Sequence, residues 1–123
     1  MLKDLFIIES IVEEEDGVFL ATAGINAVHP LFKGHFPQVP VLPGVCSLYL
    51  IRECTGRFLD SRLRYISIDS CKFTEMVNPL RNELIRIWAK TDTFSEGIKI
   101  KAVMHYGTRP VLKLQAVVKE IDI

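Results

Sequence analysis

Residues 34–45 read Gly34-His35-Phe36-Pro37-Gln38-Val39-Pro40-Val41-Leu42-Pro43-Gly44-Val45, and they run straight into Cys46-Ser47-Leu48-Tyr49-Leu50-Ile51. Proline fixes its own φ and pushes the residue before it toward extended backbone. Pro37, Pro40 and Pro43, with His29-Pro30 upstream, therefore predict a stiff, irregular loop. Gly44 to about Phe58 is the one credible helix. Val45, Leu48, Ile51 and then Arg52 or Cys54 recur with a 3.6-residue period, while Tyr49 and Glu53 lie four apart on one stripe. Val45–Ile51 is apolar or small almost throughout, which predicts a helix buried on most sides. Gly56 is expected to weaken its last turn.

Outward from this helix the chain reads as β. Leu5–Val12 and Val18–Val28 are expected strands, joined by an acidic turn at Glu13–Gly17. Leu63–Phe73, Glu83–Asp92, Ile98–Tyr106 and Val111–Ile121 follow. In the last two, Ile98, Ile100, Ala102, Met104 and Tyr106 alternate against Lys99, Lys101 and His105. Leu112, Leu114, Ala116 and Val118 alternate against Lys113, Gln115 and Lys119. Gly107-Thr108-Arg109-Pro110 turns between them, so they form an antiparallel hairpin with one covered face. One buried helix with five or six antiparallel strands is an α+β layout, a curved sheet wrapped around a helix. Such a sheet has two edges to protect, and pairing in a dimer protects one of them.

The 123 residues suit a single domain, 1–123. Fifteen basic residues balance fifteen acidic ones. A net charge of zero gives no global attraction to nucleic acid or acidic membrane, and it weakens self-repulsion between copies. The longest uncharged apolar run, Val39–Ile51, is short and broken by Pro40, Pro43 and Gly44, so no bilayer span is expected. Leu5–Ile8 gives only four apolar residues before Glu9, which is no secretory signal. Cys46, Cys54 and Cys71 form neither a CxxC pair nor a metal spacing. Sparse cysteines without a signal fit a reducing cytoplasm, and buried inert thiols are the expectation for them.

The Gly34–Val45 segment resembles the motif G-H-F-P-x-x-P-x-x-P-G-V of the β-hydroxyacyl-acyl-carrier-protein dehydratases, proteins of the hot-dog fold. Every fixed letter is present at the family spacing. Leu5–Glu9 resembles the family's opening strand. Lys72-Phe73 with Val77 and Pro79 resembles the strand and turn where the family carries a basic residue, Phe and Pro-Gly-Asp; here the turn reads Asn78-Pro79-Leu80-Arg81-Asn82. The resemblance covers nearly the whole chain and is most specific over residues 30–56. It implies a single hot-dog domain.

It also implies a chemistry. Dehydration of a 3-hydroxyacyl thioester needs a base for the α-proton, an acid for the leaving hydroxyl and a donor for charge on the thioester oxygen. Imidazole titrates near neutrality, so His35 suits proton transfer. The resemblance places the thioester carbonyl on the Gly44 amide, with Phe36, Pro43 and Val45 around the substrate and the helix lining an acyl tunnel. Free N–H groups and the helix dipole at Gly44 favour developing negative charge. In the family an acidic residue fourteen positions after the histidine reaches it across the dimer interface. Here that position is Tyr49. Two replacements are conceivable: neutral Tyr49 donating to the leaving hydroxyl, or Glu53, one turn on, supplying the carboxylate. His29 and His105 read as structural or exposed.

Three functions follow. The first is a dehydratase acting on acyl-carrier-protein thioesters in fatty acid or related lipid biosynthesis. The second is a thioesterase of the same fold, with Glu53 activating water. The third is a non-catalytic acyl-thioester-binding subunit of a hetero-oligomer. The implied partners are acyl carrier protein or an acyl-CoA, and a second copy or a higher homo-oligomer. No nucleic acid, membrane, metal or cofactor is implied. Arg52, Arg57, Arg62, Arg64 and Lys72 form a basic group suited to an acidic carrier or its phosphopantetheine arm.

Overall fold

The computed structural model describes residues 2–33 and 39–121. Two strands, β1 (Phe6–Glu15) and β2 (Val18–Ile25), precede a 3₁₀ turn at Pro30–Lys33 and helix α1 (Gly44–Leu59). Strands β3 (Leu63–Phe73), β4 (Ile85–Phe94), β5 (Gly97–Tyr106) and β6 (Arg109–Glu120) follow, with a second 3₁₀ turn at Pro79–Arg81. The six strands form one antiparallel sheet in the order β1-β2-β4-β5-β6-β3.

Register places the apolar residues on one face. Phe19 pairs with Ala89, Ala89 with Ala102 and Ala102 with Leu114, while Ile87 pairs with Met104 and Met104 with Leu112. Directly paired residues share a face, and all of these are buried. The helix touches both β1 and β3, the two edges of the sheet. Six flat strands would span roughly 24 Å, against a helix about 10 Å across. Both edges reach one helix only because the sheet curves around it. The expected curved sheet with one central helix is therefore the observed architecture.

Several local expectations change. Glu13–Glu15 are not a turn: they extend β1 along the sheet edge, paired with Phe19 and Val18 through a bulge. An edge strand leaves such side chains in water, and charge there blocks pairing with other chains. The turn is Asp16-Gly17, with Gly17 at φ 78°. Strand β2 ends at Ile25, where the Asn26 Oδ1 accepts the Val28 amide and starts a local turn. Strand β4 begins at Ile85 and runs on to Phe94. Arg109 and Pro110 belong to β6, leaving Gly107-Thr108 as the turn.

The helix is buried on one stripe, not on most sides. Cys46, Leu50 and Cys54 with Ser47, Ile51 and Thr55 face the sheet, whereas Val45 is 71% exposed. Gly56 does not fray the last turn. The chain closes there in a Schellman motif: Ser61 N–H bonds to Gly56 O at 2.9 Å, Asp60 N–H bonds to Arg57 O at 3.3 Å, and Asp60 is left-handed at φ 53°.

Candidate active site

The proline loop delivers the chain to α1 in a fixed place. Pro43 precedes the helix in extended backbone (φ −61°, ψ 143°), and no side chain caps the helix start. The Leu42 amide bonds to Val77 O at 2.9 Å, and both side chains are buried. The Val77 segment is tied in turn to the sheet. Tyr106 Oη donates to Asn78 O at 2.8 Å, and the Thr74 amide bonds to Val111 O at 3.0 Å. Thus β5 and β6 position the helix start through the 74–79 connection.

Cys46 N–H bonds back to Pro43 O at 3.0 Å, and the amides of Gly44 and Val45 have no protein partner among the described residues. These are the open donors that a helix start leaves. They stand beside a cleft of about 330 Å³ lined by Val41, Leu42, Pro43, Gly44, Ser47, Phe73, Glu75, Met76 and Val77, with Met104, Val111 and Leu112 behind. A volume of this order and an apolar wall suit a small ligand or an acyl segment. Gly44 lets the Phe73 ring approach closely: a Cβ there would lie 2.6 Å from the ring, which would have to turn aside.

The structure separates the candidate residues. His35 and Phe36 lie outside the described residues. Pro43 and Gly44 line the cleft, whereas Val45 is not among its lining residues. Five residues past Gly44, at about 100° each, carry Tyr49 roughly 140° round the helix. Its ring lies under Arg52, whose guanidinium carbon is 5.3 Å from the ring centroid. Arg52 also donates to Leu63 O at 3.4 Å. Glu53 faces a second hollow at the far end of the helix, 3.9 Å from Arg52 Nη2. That hollow is larger, about 670 Å³, and gathers Arg52, Arg57 and Arg62 with Glu53, Asp60 and Glu120. Its charges balance, and it lacks both the helix-start amides and the apolar wall. We therefore place the candidate site at the smaller cleft. Arg64 and Lys72 lie on β3 and do not line the larger hollow.

Phe73 and Ser47 are cleft residues that the helical period and strand pattern did not single out as site residues. Phe73 carried one signal, its place in the family-like Lys72-Phe73 pair. Ser47 carried none.

His29 is structural. It is 7% exposed, its Nδ1 accepts the Leu31 amide at 3.0 Å, and its Nε2 donates to Lys3 O at 2.8 Å. The cysteines are unpaired thiols. Burial raises the thiol pKa of Cys46, opposite to the lowering that a helix start favours. Burial pushes Cys54 up to about 12. Among the described residues no three side chains are grouped to hold a metal, and no helix is long and apolar enough to cross a membrane.

Comparison with known proteins matches this architecture. A family model described as ApeI-like, ApeI dehydratase, matches residues 11–102. The 3-hydroxyacyl-acyl-carrier-protein dehydratase FabZ of Thermotoga neapolitana is 29% identical over 100 residues, covering 75% of this chain and 73% of that protein. The FabZ of Vibrio cholerae serotype O1 is 34% identical over 83 residues, 59% of this chain and 54% of that protein. The chain thus spans about half the length of the Vibrio relative. Among solved structures, the dehydratase heterocomplex ApeI:P from Xenorhabdus doucetiae superposes with a TM-score of 0.78 at 16% identity, covering 93% of this chain and 97% of that one.

Proposed function

Since this chain belongs to the ApeI-like dehydratase family, we propose that it binds acyl thioesters at the Gly44 cleft and removes water from 3-hydroxyacyl groups carried on acyl carrier protein. One observation carries the reading: the helix-start amide of Gly44, without a partner among the described residues, stands at a mainly apolar cleft of about 330 Å³. Donors fixed in that place hold a thioester oxygen and stabilise the negative charge that gathers on it when the α-proton leaves. The Coulombic gain is larger in such an apolar setting than in water. His35, by its place in the motif, takes that proton. Tyr49 and Glu53 are the candidates for the acid, and neither lies in the Gly44 cleft of its own chain.

A second copy fits the same reading. Strand β3 is an open edge carrying exposed Ile66, Ile68 and Phe73, next to the exposed Val45 of α1. Pairing along β3 covers this edge, and it brings the helix of one copy toward the cleft of the other. A homodimer or higher homo-oligomer is therefore part of the proposal.

A second reading rests on Tyr49. Where a carboxylate is expected, the chain holds a phenol under a guanidinium. A positioned acid or base contributes roughly 10²–10⁴-fold. A related subunit that supplies the missing carboxylate would restore that factor, and the Xenorhabdus neighbour is itself described as a heterocomplex. Thioester hydrolysis gains no support from Glu53, which sits about nine residues along the helix and is engaged with Arg52.

The test is enoyl-thioester formation, or hydration in reverse, by the purified protein on 3-hydroxyacyl and enoyl acyl-carrier-protein substrates. Turnover abolished by His35→Ala is the expected result. Undiminished turnover in that variant overturns the assignment. Turnover that appears only after a related hot-dog subunit is added selects the second reading.

A further inference from the structure

The wall of the Gly44 cleft carries one buried polar group. Among its lining residues only Ser47 and Glu75 have polar side chains. Glu75 is exposed and bonds to Arg109 at 3.2 Å. Ser47 is only 4% exposed, and no hydrogen-bond partner for its hydroxyl is found among the described residues. Ser47 is one of the residues lining the cleft, so its hydroxyl, without a partner among the described residues, borders that space.

Helix geometry sets its direction. Three residues past Gly44, Ser47 lies about one turn along and roughly 60° round, on the same side of the helix. Side chains on a helix lean toward its N-terminus. The Ser47 hydroxyl therefore leans back toward the turn that presents the Gly44 amide. Buried hydroxyls in native proteins are paired in the great majority of cases. One left open in an apolar wall is suited to a polar atom of the ligand.

We propose that Ser47 is a specificity-determining residue that hydrogen-bonds the C3 hydroxyl of a 3-hydroxyacyl thioester. This rests on the acyl-thioester reading of the cleft. With the thioester carbonyl on the Gly44 amide, C3 lies two bonds further along the chain, beside the first turn of α1. Ser47 both donates and accepts, so it holds the substrate hydroxyl in one rotamer and distinguishes a hydroxylated acyl chain from a saturated one. It transfers no proton in this role.

The experiment measures dissociation constants of two pantetheine thioesters of equal chain length, 3-hydroxyacyl and saturated acyl, for the unaltered protein and for Ser47→Ala. Alanine is the best helix former, and the lost hydroxyl has no partner among the described residues, so the variant is expected to melt at or above the temperature of the unaltered protein. The hydroxyacyl thioester should bind about tenfold more weakly to Ser47→Ala, the scale of one hydrogen bond. The saturated thioester should change by less than about twofold on the same scale. Equal losses for both ligands, or no loss for either, overturn the proposal. Binding of neither thioester by the unaltered protein overturns the acyl-thioester reading, and this inference with it.

Discussion

Two glycines in one helix give a sharp test of how this fold is held. Replacing Gly56 by Ala should destabilise the protein, although Ala favours helix over Gly by about 1 kcal/mol. The reason lies beyond the helix. A Cβ on Gly56 would sit 2.7 Å from the backbone oxygen of Ser61. That oxygen cannot swing aside, because Ser61 N–H and Asp60 N–H are both bonded back to the last turn. Relief requires the whole Schellman turn to move several tenths of an ångström, and overpacking of this kind costs about 1–3 kcal/mol. The overlap wins, with a net loss of about 1 kcal/mol and at most about 2 kcal/mol, a fall in melting temperature of roughly 4 °C per kcal/mol. Replacing Gly44 by Ala brings a similar overlap, 2.6 Å, but against the far end of the half-exposed Phe73 side chain. That ring can rotate away, so stability should change by less than about 0.5 kcal/mol, while the displaced ring alters the cleft and weakens thioester binding. Urea unfolding of both variants, with thioester titration of Gly44→Ala, checks this. A Gly56→Ala protein as stable as the unaltered one, or a Gly44→Ala protein less stable than Gly56→Ala, would refute the reasoning.

Three further outcomes are expected. The Cys54 thiol ionises near 9 when unfolded and at about 12 when folded. The unfolded state then loses its proton first as pH rises. Stability from this group is complete below pH 9 and declines toward pH 12, by up to about 1.4 kcal/mol per pH unit. Cys54→Ala should flatten the slope of unfolding free energy against pH between 9 and 11, whatever its cost at pH 7, and an unchanged slope would contradict it. Tyr65→Phe removes a 2.6 Å hydrogen bond from the phenol to Leu48 O. It should cost about 1 kcal/mol in urea unfolding, because that carbonyl keeps its helical partner. Ile68→Lys on the open β3 edge should lower the solution mass measured by sedimentation if copies pair along it, since a charge there opposes strand pairing.

How much of this was legible beforehand depended on what set each feature. Strand β3 was read to the residue from its run of strand-forming residues, and the β5–β6 hairpin nearly so, because period-two alternation there is a local consequence of one covered face. Glu13–Glu15 were misread, because a charged run in an edge strand resembles a turn until the neighbouring strand is known. The helix was placed by its period, but its buried stripe was not: Cys46, Ser47 and Thr55 face the core, and only packing against the sheet selects that face. Gly56 looked like a weak point in the last turn, and its real constraint is a backbone oxygen that the chain reversal brings over it.

The sequence by itself determined most of the elements, their order and the family, since these follow from residue type and spacing along the chain. The cleft was decided only in three dimensions. Phe73 lies 29 positions from Gly44, Leu42 is tied to Val77, and Ser47 acquires meaning only from the wall around it. The separation of Tyr49 and Glu53 from that cleft also needed the helix to be set against its sheet, because a spacing fixes an angle around a helix but not which side of it the sheet will cover.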